Sequence, residues 1–299
     1  MHTMTRTASP IVAAAALVGL VGVGCGSDPS PRSTVSITEP PTSAAPFPAT
    51  DKTNRVAALD DSAVFSIRGD ELVRLDPQTY AVVSTWPREK GMVSISAVSP
   101  GGRWVALTDH AAGYDTAEPR RYTQLTVFDA ESGSATHHLA LAGDVRPEAF
   151  SVNGQLVFAL DHRGDHYRVQ TIELATGERY DTGNRDKTPE IEEMRGVTVR
   201  GVYNTARTVL ATLYRNPGDE EEPAFVHILD LVHGWAYCAD LPPPFGTGTP
   251  GSDEIELTAA DTALVTATEA ARVAEIHINE VLVPDTTPIT VKFRDAPLE

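Results

Sequence analysis

Positive charge is scarce in this sequence. The 299 residues contain 24 Lys and Arg against 41 Asp and Glu, so the formal net charge is −17 at neutral pH. A surface of this sign repels the phosphate backbone of nucleic acids. We therefore expect no nucleic-acid partner, and we interpret the acidity as a means of keeping the protein soluble.

Motifs for catalysis are also missing. The sequence contains no Gly-x-Ser-x-Gly elbow, Walker loop, dinucleotide fingerprint or His-Glu-x-x-His pair, and no Cys-x-x-Cys-His haem attachment. It therefore predicts no cofactor, no metal ion and no catalytic residue.

The N-terminal apolar run, Ile11–Val23, is shorter than the roughly 20 residues that span a bilayer. With Arg6 before it, the segment has the form of a signal peptide. The run leads into Gly24-Cys25, which resembles the lipobox of bacterial lipoprotein precursors, where a small residue precedes the cysteine that is lipidated. Gly22 departs from that pattern, which usually has a branched apolar residue at this position. The resemblance implies that residues 1–24 are a lipoprotein signal peptide and that Cys25 carries the lipid; a plain secretory signal is the alternative.

Residues 25–54 are predicted to be a disordered tether. They are rich in Pro, Ser and Thr, a composition that buries too little apolar surface to fold and that prolines keep extended. Two acyl chains on Cys25 would give stable anchoring, so we expect a domain of residues 55–299 held at the extracytoplasmic face of the cell membrane. With Cys25 lipidated, Cys238 has no disulfide partner, and stability must come from burial and strand pairing.

A short turn recurs in the predicted domain. Ser-Pro-Gly-Gly at residues 99–102 separates two apolar runs, and related turns follow at residues 151–154, 204–207 and 258–261. The step is 52 residues from Arg103 to Gln155 and again to Arg207 (155 − 103 and 207 − 155). A fixed period of this size indicates a repeated structural unit.

Short apolar or alternating runs bounded by turn residues fill the rest of the domain, which is the pattern of β-strands. They group into five four-stranded units: Val56–Trp86, Ser94–Leu141, Glu148–Tyr180, Val197–Cys238 and Ile255–Phe293. Such units are typical of β-propeller blades. The Ser-Pro-Gly-Gly-Arg-Trp stretch resembles the turn of bacterial TolB-like and YncE-like propeller repeats, of WD40 type, which implies the fold and no particular activity. We expect an all-β propeller of four-stranded antiparallel blades, with five counted and six or seven possible; a pair of β-sandwiches is the alternative.

The loops between the second and third strands of units two to four are long and polar. They cover residues 109–122, 161–167 and 215–223. Loops of this kind cluster on one rim of a propeller and carry binding in many of them, so this rim is the predicted partner surface. The three tryptophans, Trp86, Trp104 and Trp235, lie in or beside strands, where packing between blades is the favoured interpretation.

Three groups of residues have the chemical types of a metal site. Asp161, His162, Asp165 and His166 form one, but the residues between them predict a hairpin instead of the helix face that would bring two histidines together. Asp219–Glu222 lack the ligand spacing of an EF-hand. His137-His138 project to opposite faces of a strand. We therefore predict solvated or structural side chains in all three.

Two functions remain open from the sequence. The first is a non-catalytic lipoprotein whose propeller is an interaction or scaffold module for an envelope protein or polymer. The alternative is a small-molecule binding protein or a hydrolase of lactonase type that uses the mouth of the central channel.

Overall fold

The computed structural model describes residues 55–57, 62–110, 119–164, 166–184, 193–216, 218–221, 223–249, 252–258, 262–278 and 291–295. The predicted signal peptide, Cys25 and the tether lie outside these residues, as does Asp165. No helix in the described part is long and apolar enough to cross a membrane.

The described residues form five sheets, which we call blades 1 to 5. Blade 1 contains β1 (Arg55–Ala57), β2 (Val64–Arg68), β3 (Glu71–Leu75) and β4 (Val82–Pro87). Blade 2 contains β5 (Ser94–Val98), β6 (Trp104–Thr108), β7 (Tyr122–Asp129) and β8 (Ser134–Ala142). Blade 3 contains β9 (Asp144–Phe150), β10 (Leu156–His162), β11 (Tyr167–Glu173) and β12 (Arg179–Asp181).

Blade 4 contains β13 (Gly183–Asn184), β14 (Val197–Tyr203), β15 (Val209–Arg215), β16 (Ala224–Asp230) and β17 (Trp235–Leu241). Blade 5 contains β18 (Asp253–Leu257), β19 (Thr262–Ala267), β20 (Arg272–His277) and β21 (Val291–Asp295). Two single 3₁₀ turns cover Pro100–Gly102 and Thr268–Ala270.

Within each blade, four consecutive strands pair antiparallel in chain order. The exception is β13, which pairs in parallel with the outer strand β17 and so adds a fifth strand to blade 4. The five four-stranded units predicted from the sequence are confirmed, whereas β13 was not predicted. A strand of two residues has no hydrophobic period by which it could be recognised.

The apolar core lies between successive blades. One cluster joins Phe65 of blade 1 to Leu107 of blade 2, and another joins Val127 of blade 2 to Val157 of blade 3. Further clusters join blade 3 to blade 4 and blade 4 to blade 5. The middle blades are therefore covered on both faces by different neighbours. This serial stacking is that of a β-propeller, and the sandwich alternative is wrong, because a sandwich has only two sheets facing each other.

The recurring turn closes the first hairpin of blades 2, 3 and 4 in the same way. The side chain of the first turn residue accepts a hydrogen bond from the backbone N–H of the residue that begins the second strand of the hairpin. The pairs are Ser99 with Trp104 at 2.9 Å, Ser151 with Leu156 at 2.9 Å and Asn204 with Val209 at 3.0 Å. The residues that open these turns are therefore 52 and 53 positions apart (151 − 99 and 204 − 151). The second spacing is one residue longer than the 52 residues between Gln155 and Arg207.

Two of these turns also fix the contact with the preceding blade. Gly102 and Gly154 have φ of +70° and +68°, and a Cβ on either would overlap a side chain of the preceding blade: Ala63 for Gly102 and the Trp104 ring for Gly154. Trp86 likewise reaches from blade 1 to Phe128 of blade 2, with ring centroids 5.4 Å apart. Trp86 and Trp104 thus pack between blades, as the sequence predicts.

Candidate functional site

The ends of the second strands of blades 2 and 3 carry a dense group of charged residues. Because each blade is an antiparallel meander, the loop between its second and third strands lies at the same sheet edge as the connection to the next blade. We call the group at this edge the blade 2–3 rim. It comprises Asp109, His110, Arg120, Asp144, Arg146, Asp161, His162, Arg163, His166, Arg168 and Glu193.

The inner part of the rim contains a buried ion pair. Asp144 and Arg146 alternate along β9 and so project from the same face. The Arg146 guanidinium donates through Nε to Oδ1 at 3.3 Å and through Nη2 to Oδ2 at 3.1 Å, and the Asp144 side chain is 1% exposed. Burial alone would raise the pKa of Asp144, but the hydrogen bond and charge of Arg146 outweigh it and lower that pKa.

Two histidines adjoin this ion pair, one from each blade. His110 follows β6, and His162 is directly opposite Asp144 in the pairing of β9 with β10. Burial lowers the pKa of His110, and burial together with the charge of Arg146 lowers the pKa of His162 to about 4. Both rings are therefore neutral at neutral pH. In that state a histidine offers one donor and one acceptor nitrogen instead of a charge.

The outer part of the rim consists of arginines held by carboxylates. Arg163 donates to Asp161 at 2.9 Å, and Arg168 donates to Glu193 at 2.8 Å. Arg120 lies 3.7 Å from Asp109. The side chains of Arg163 and Arg120 nevertheless remain 42% and 38% exposed. Each guanidinium has five N–H donors in a fixed plane, so Arg163 and Arg168 are oriented by their carboxylates while still having donors free for other partners.

The predicted loop of blade 3 is shorter than the sequence suggests. Asp161 and His162 belong to β10, and Tyr167 begins β11. The hairpin is closed by a hydrogen bond from the backbone N–H of Arg163 to the carbonyl of His166. The strands extend further because their ends pair in register, Asp161 opposite Arg168 and His162 opposite Tyr167, and this pairing outweighs the polar character of the side chains.

The residues considered for metal binding do not converge. Asp161 and His162 are adjacent in a strand and project to opposite faces, and His166 lies 3.4 Å from Glu193. Asp219 accepts the backbone N–H of Glu221 at 3.0 Å and so stabilises its own turn. Across the described part of the chain, no three His, Cys, Asp or Glu side chains are grouped as a metal ion would require.

The same holds for the two histidines of β8. His137 contacts the hydroxyl of Thr136 at 3.0 Å, whereas His138 contacts the hydroxyl of Thr126 at 3.2 Å. The two rings thus have different partners on different strands, as expected for neighbours on a strand.

A second polar group, which the sequence did not point to, lies between blades 3 and 4. We call it the blade 3–4 seam; it comprises Glu148, His162, Tyr167, Tyr214, Phe225, His227 and Cys238. Its centre is Tyr214, whose hydroxyl donates to Glu148 at 2.6 Å. The Tyr214 ring stacks on Phe225 with centroids 5.0 Å apart and lies 5.9 Å from Tyr167, which in turn lies 5.4 Å from His162.

Two ionisable side chains of the seam, Glu148 and His227, have pKa values shifted from their usual ranges. Burial raises the pKa of Glu148, and the hydroxyls of Tyr214 and Thr212 only partly oppose this. Burial lowers the pKa of His227 to about 4. Cys238, directly opposite His227 in the sheet, is buried and forms no disulfide within the described part of the chain. The signal available in the sequence was a charged or polar residue inside a strand whose neighbours are apolar, as with His227 between Val226 and Ile228.

No protein-family model matches the chain, and no curated protein matches it. Similar solved structures include Kuenenia stuttgartiensis hydrazine synthase, with 15% identity, a TM-score of 0.41 and coverage of 79% of this chain and 81% of that one. The β-propeller domain of Myceliophteria thermophila Cps50 (Swd1) has 15% identity, a TM-score of 0.47 and coverage of 80% and 69%. TolB from Acinetobacter baumannii has 13% identity, a TM-score of 0.39 and coverage of 72% of this chain but 51% of TolB.

Propellers are thus among the similar structures, in agreement with the five stacked sheets. At these TM-scores the likeness carries no inference about function, and the fold assignment rests on the blades themselves.

Proposed function

We propose that the chain is a lipid-anchored extracytoplasmic propeller that binds an envelope protein or polymer through the blade 2–3 rim, without catalysing a reaction. The observation that supports this most is the set of rim arginines that pair with carboxylates and are still exposed: Arg163, which a hydrogen bond to Asp161 orients, and Arg120, which lies beside Asp109. Oriented guanidinium groups lose little conformational freedom on binding and can donate two parallel hydrogen bonds. Arginine is also enriched in protein interfaces.

The rim can be tested by crosslinking in intact cells, with the full chain as bait. We expect one partner to be recovered with the unchanged protein and to be lost with the double variant Arg120→Glu, Arg163→Glu. Arg103→Glu is the matched control, because Arg103 is also held by carboxylates and is 49% exposed but lies at the opposite sheet edge, beside the first hairpin of blade 2. Equal recovery with the rim and control variants would contradict the proposal.

The anchor is proposed from the N-terminal sequence and has its own test. A bioorthogonal fatty acid fed to cells should label the unchanged protein and the variant Cys238→Ser, while Cys25→Ser should lose both the label and its place in the membrane fraction. Because one acyl chain gives only marginal binding and two give stable anchoring, salt washing should not release the labelled protein. Label retained by Cys25→Ser would refute the assignment.

A second function, small-molecule binding or hydrolysis at the channel mouth, is favoured by one feature. Neutral His110 and His162 adjoin the Asp144 carboxylate and the Arg146 guanidinium on β9, the first strand of blade 3. Groups whose pKa values are displaced by burial and charge are frequent at active sites. A screen of sugars and lactones by thermal shift should then give a shift that His162→Gln abolishes; absence of any such shift would remove this function from consideration.

A further inference from the structure

The Glu148 carboxyl is enclosed between blades 3 and 4 in an unusual state. Its Oε1 accepts the hydrogen bond from the Tyr214 hydroxyl at 2.6 Å. Its Oε2 is buried and makes no hydrogen bond of good geometry with any described residue, although the nearby Thr212 hydroxyl acts to lower the pKa of the carboxyl. An ionised carboxylate with one oxygen left without a hydrogen bond away from water is strongly destabilised. The un-ionised acid leaves a buried O–H group without an acceptor, which costs less than an unsolvated charge. The geometry therefore favours the protonated form.

The groups that face Glu148 do not provide a compensating cation. From blade 4 they are Tyr214 and Thr212 on β15 and His227 on β16, with Cys238 beyond them on β17. His227 is 1% exposed, is neutral because burial lowers its pKa to about 4, and has a buried Nε2 without a hydrogen-bond partner in the structure.

On its own blade, the nearest cation in sequence is Arg146 on β9. The Arg146 guanidinium donates to both oxygens of Asp144. The other titratable groups that blade 3 contributes to the seam are His162 on β10, which is neutral, and Tyr167 on β11. None of these side chains places a positive charge on the Glu148 carboxyl.

We propose that Glu148 is a proton-binding site in the blade 3–4 seam, occupied at neutral pH, and that release of its proton weakens the contact between the two blades. The raised pKa of the Glu148 carboxyl agrees with this assignment. The inference does not depend on the proposed function, since it concerns the stability of the seam and not what the rim binds.

The direction of the pH effect follows from proton linkage. The unfolded chain has a normal glutamate pKa, while the folded chain binds the proton more tightly. The stabilising effect is therefore complete below the unfolded pKa, and it decreases as pH rises from that value through the higher folded pKa. One proton changes the ratio of folded to unfolded protein by at most tenfold per pH unit, about 1.4 kcal/mol.

The experiment compares the full chain with Glu148→Gln in chemical denaturation between about pH 4 and about pH 8. Glutamine is isosteric and cannot ionise, so we expect the ratio of folded to unfolded variant to lack the tenfold-per-unit decrease. Glu256→Gln is the matched control, since Glu256 is an exposed glutamate on the first strand of blade 5. Identical pH profiles for the unchanged protein and Glu148→Gln would overturn the proposal.

Infrared spectroscopy gives a readout that does not require the variant to be stable. The folded unchanged protein should show the carbonyl stretch of an un-ionised carboxylic acid at neutral pH, and this band should disappear as pH rises. Tyr214→Phe removes a hydrogen bond that lowers the Glu148 pKa, so the pH at which the band disappears should move upward. A folded protein without the band at neutral pH would show that Glu148 is ionised and refute the assignment. A downward shift in Tyr214→Phe would contradict the hydrogen bond by which Tyr214 lowers the Glu148 pKa.

Discussion

Substituting Gly154 by alanine tests directly whether blades 2 and 3 stack in solution as described. Gly154 closes the first hairpin of blade 3 with φ of +68°, and a Cβ placed there would lie 2.5 Å from atoms of the Trp104 ring on blade 2. Real Cβ atoms do not approach other heavy atoms so closely, so the ring or the turn must move. Trp104 packs against the apolar cluster shared by the two blades, and the Arg103 guanidinium carbon lies 4.9 Å from the centroid of the Trp104 ring. Both contacts restrict movement of the ring.

The magnitude has three contributions. A non-glycine residue in the left-handed region costs about 1–2 kcal/mol. Forcing extra atoms into a packed contact costs about 1–3 kcal/mol more. Replacing glycine by alanine restricts the unfolded chain, which offsets about 0.4–1 kcal/mol of this. We therefore expect Gly154→Ala to lower the free energy of unfolding by about 1–4.6 kcal/mol.

A matched control separates the overlap from the backbone strain. Gly69 in the hairpin between β2 and β3 has φ of +59°, and no atom lies within 4 Å of a Cβ built there. Gly69→Ala should therefore show only the conformational part, a net loss of about 0–1.6 kcal/mol. Urea denaturation of both variants measures the difference. In a Trp104→Ala background, the extra loss caused by Gly154→Ala should disappear, because the atoms it meets are gone. Equal losses for Gly69→Ala and Gly154→Ala in the unchanged background would refute the packing of this turn on blade 2.

Three further predictions concern single side chains. Asp144→Asn removes the carboxylate that pairs with the largely buried Arg146 charge, so it should lower the free energy of unfolding by about 3–5 kcal/mol in urea denaturation. The control is Asp70→Asn, which removes an exposed partner of Arg88 and should cost about 0–1 kcal/mol in the same assay. Asn204→Ala removes two hydrogen bonds from the Thr208 and Val209 backbone N–H groups and should cost about 1–3 kcal/mol, measured in the same way. Cys238 should react with a thiol reagent only when the protein unfolds, because the native thiol is buried; rapid labelling of the native protein would contradict its place in the seam.

The fold followed from the sequence because its physical signals are local and repeated. A polar residue such as Ser99 or Asn204 opens each turn with a hydrogen bond to a backbone N–H a few residues later, and apolar runs of strand length flank it. These signals locate the turns better than the strand ends: β9 begins at Asp144, four residues before the predicted Glu148, and β17 ends at Leu241, three residues after the predicted Cys238. They fail where pairing with a neighbour determines the outcome: Asp161 and His162 are polar, but they continue β10 because β9 and β11 hold them in register.

The candidate site could be predicted only in part, for a different reason. The rim of polar loops could be predicted, because the order of strands and loops along the chain determines at which end of a blade each loop lies. It did not place Glu148 against Tyr214, residues 66 positions apart, because that contact depends on which face each strand turns to the adjacent blade. Alternation along a strand shows which side chains of one blade share a face of the sheet. A bulge such as the one between Phe158 and Ala159 changes that alternation. Which face then packs on the next blade is not indicated by any local sequence pattern.

The first strand of blade 3, β9, contains charged residues where the first strand of blade 2, β5, contains serines, and packing alone does not account for this difference. At corresponding positions β5 uses Ser94 and Ser96, small hydroxyls that bond Thr108 at 2.8 and 2.9 Å, and so satisfies its polar groups without burying charge. In β9 the two corresponding residues are Arg146 and Glu148, and Asp144 lies two residues before them on the same strand. Burying an ion pair is often no better than burying apolar residues of the same volume, and an acid with an unpaired oxygen is worse. A strand that carries all three therefore holds groups that favour stability less than apolar residues would, and departures of this kind from the rules of folding are expected at functional sites.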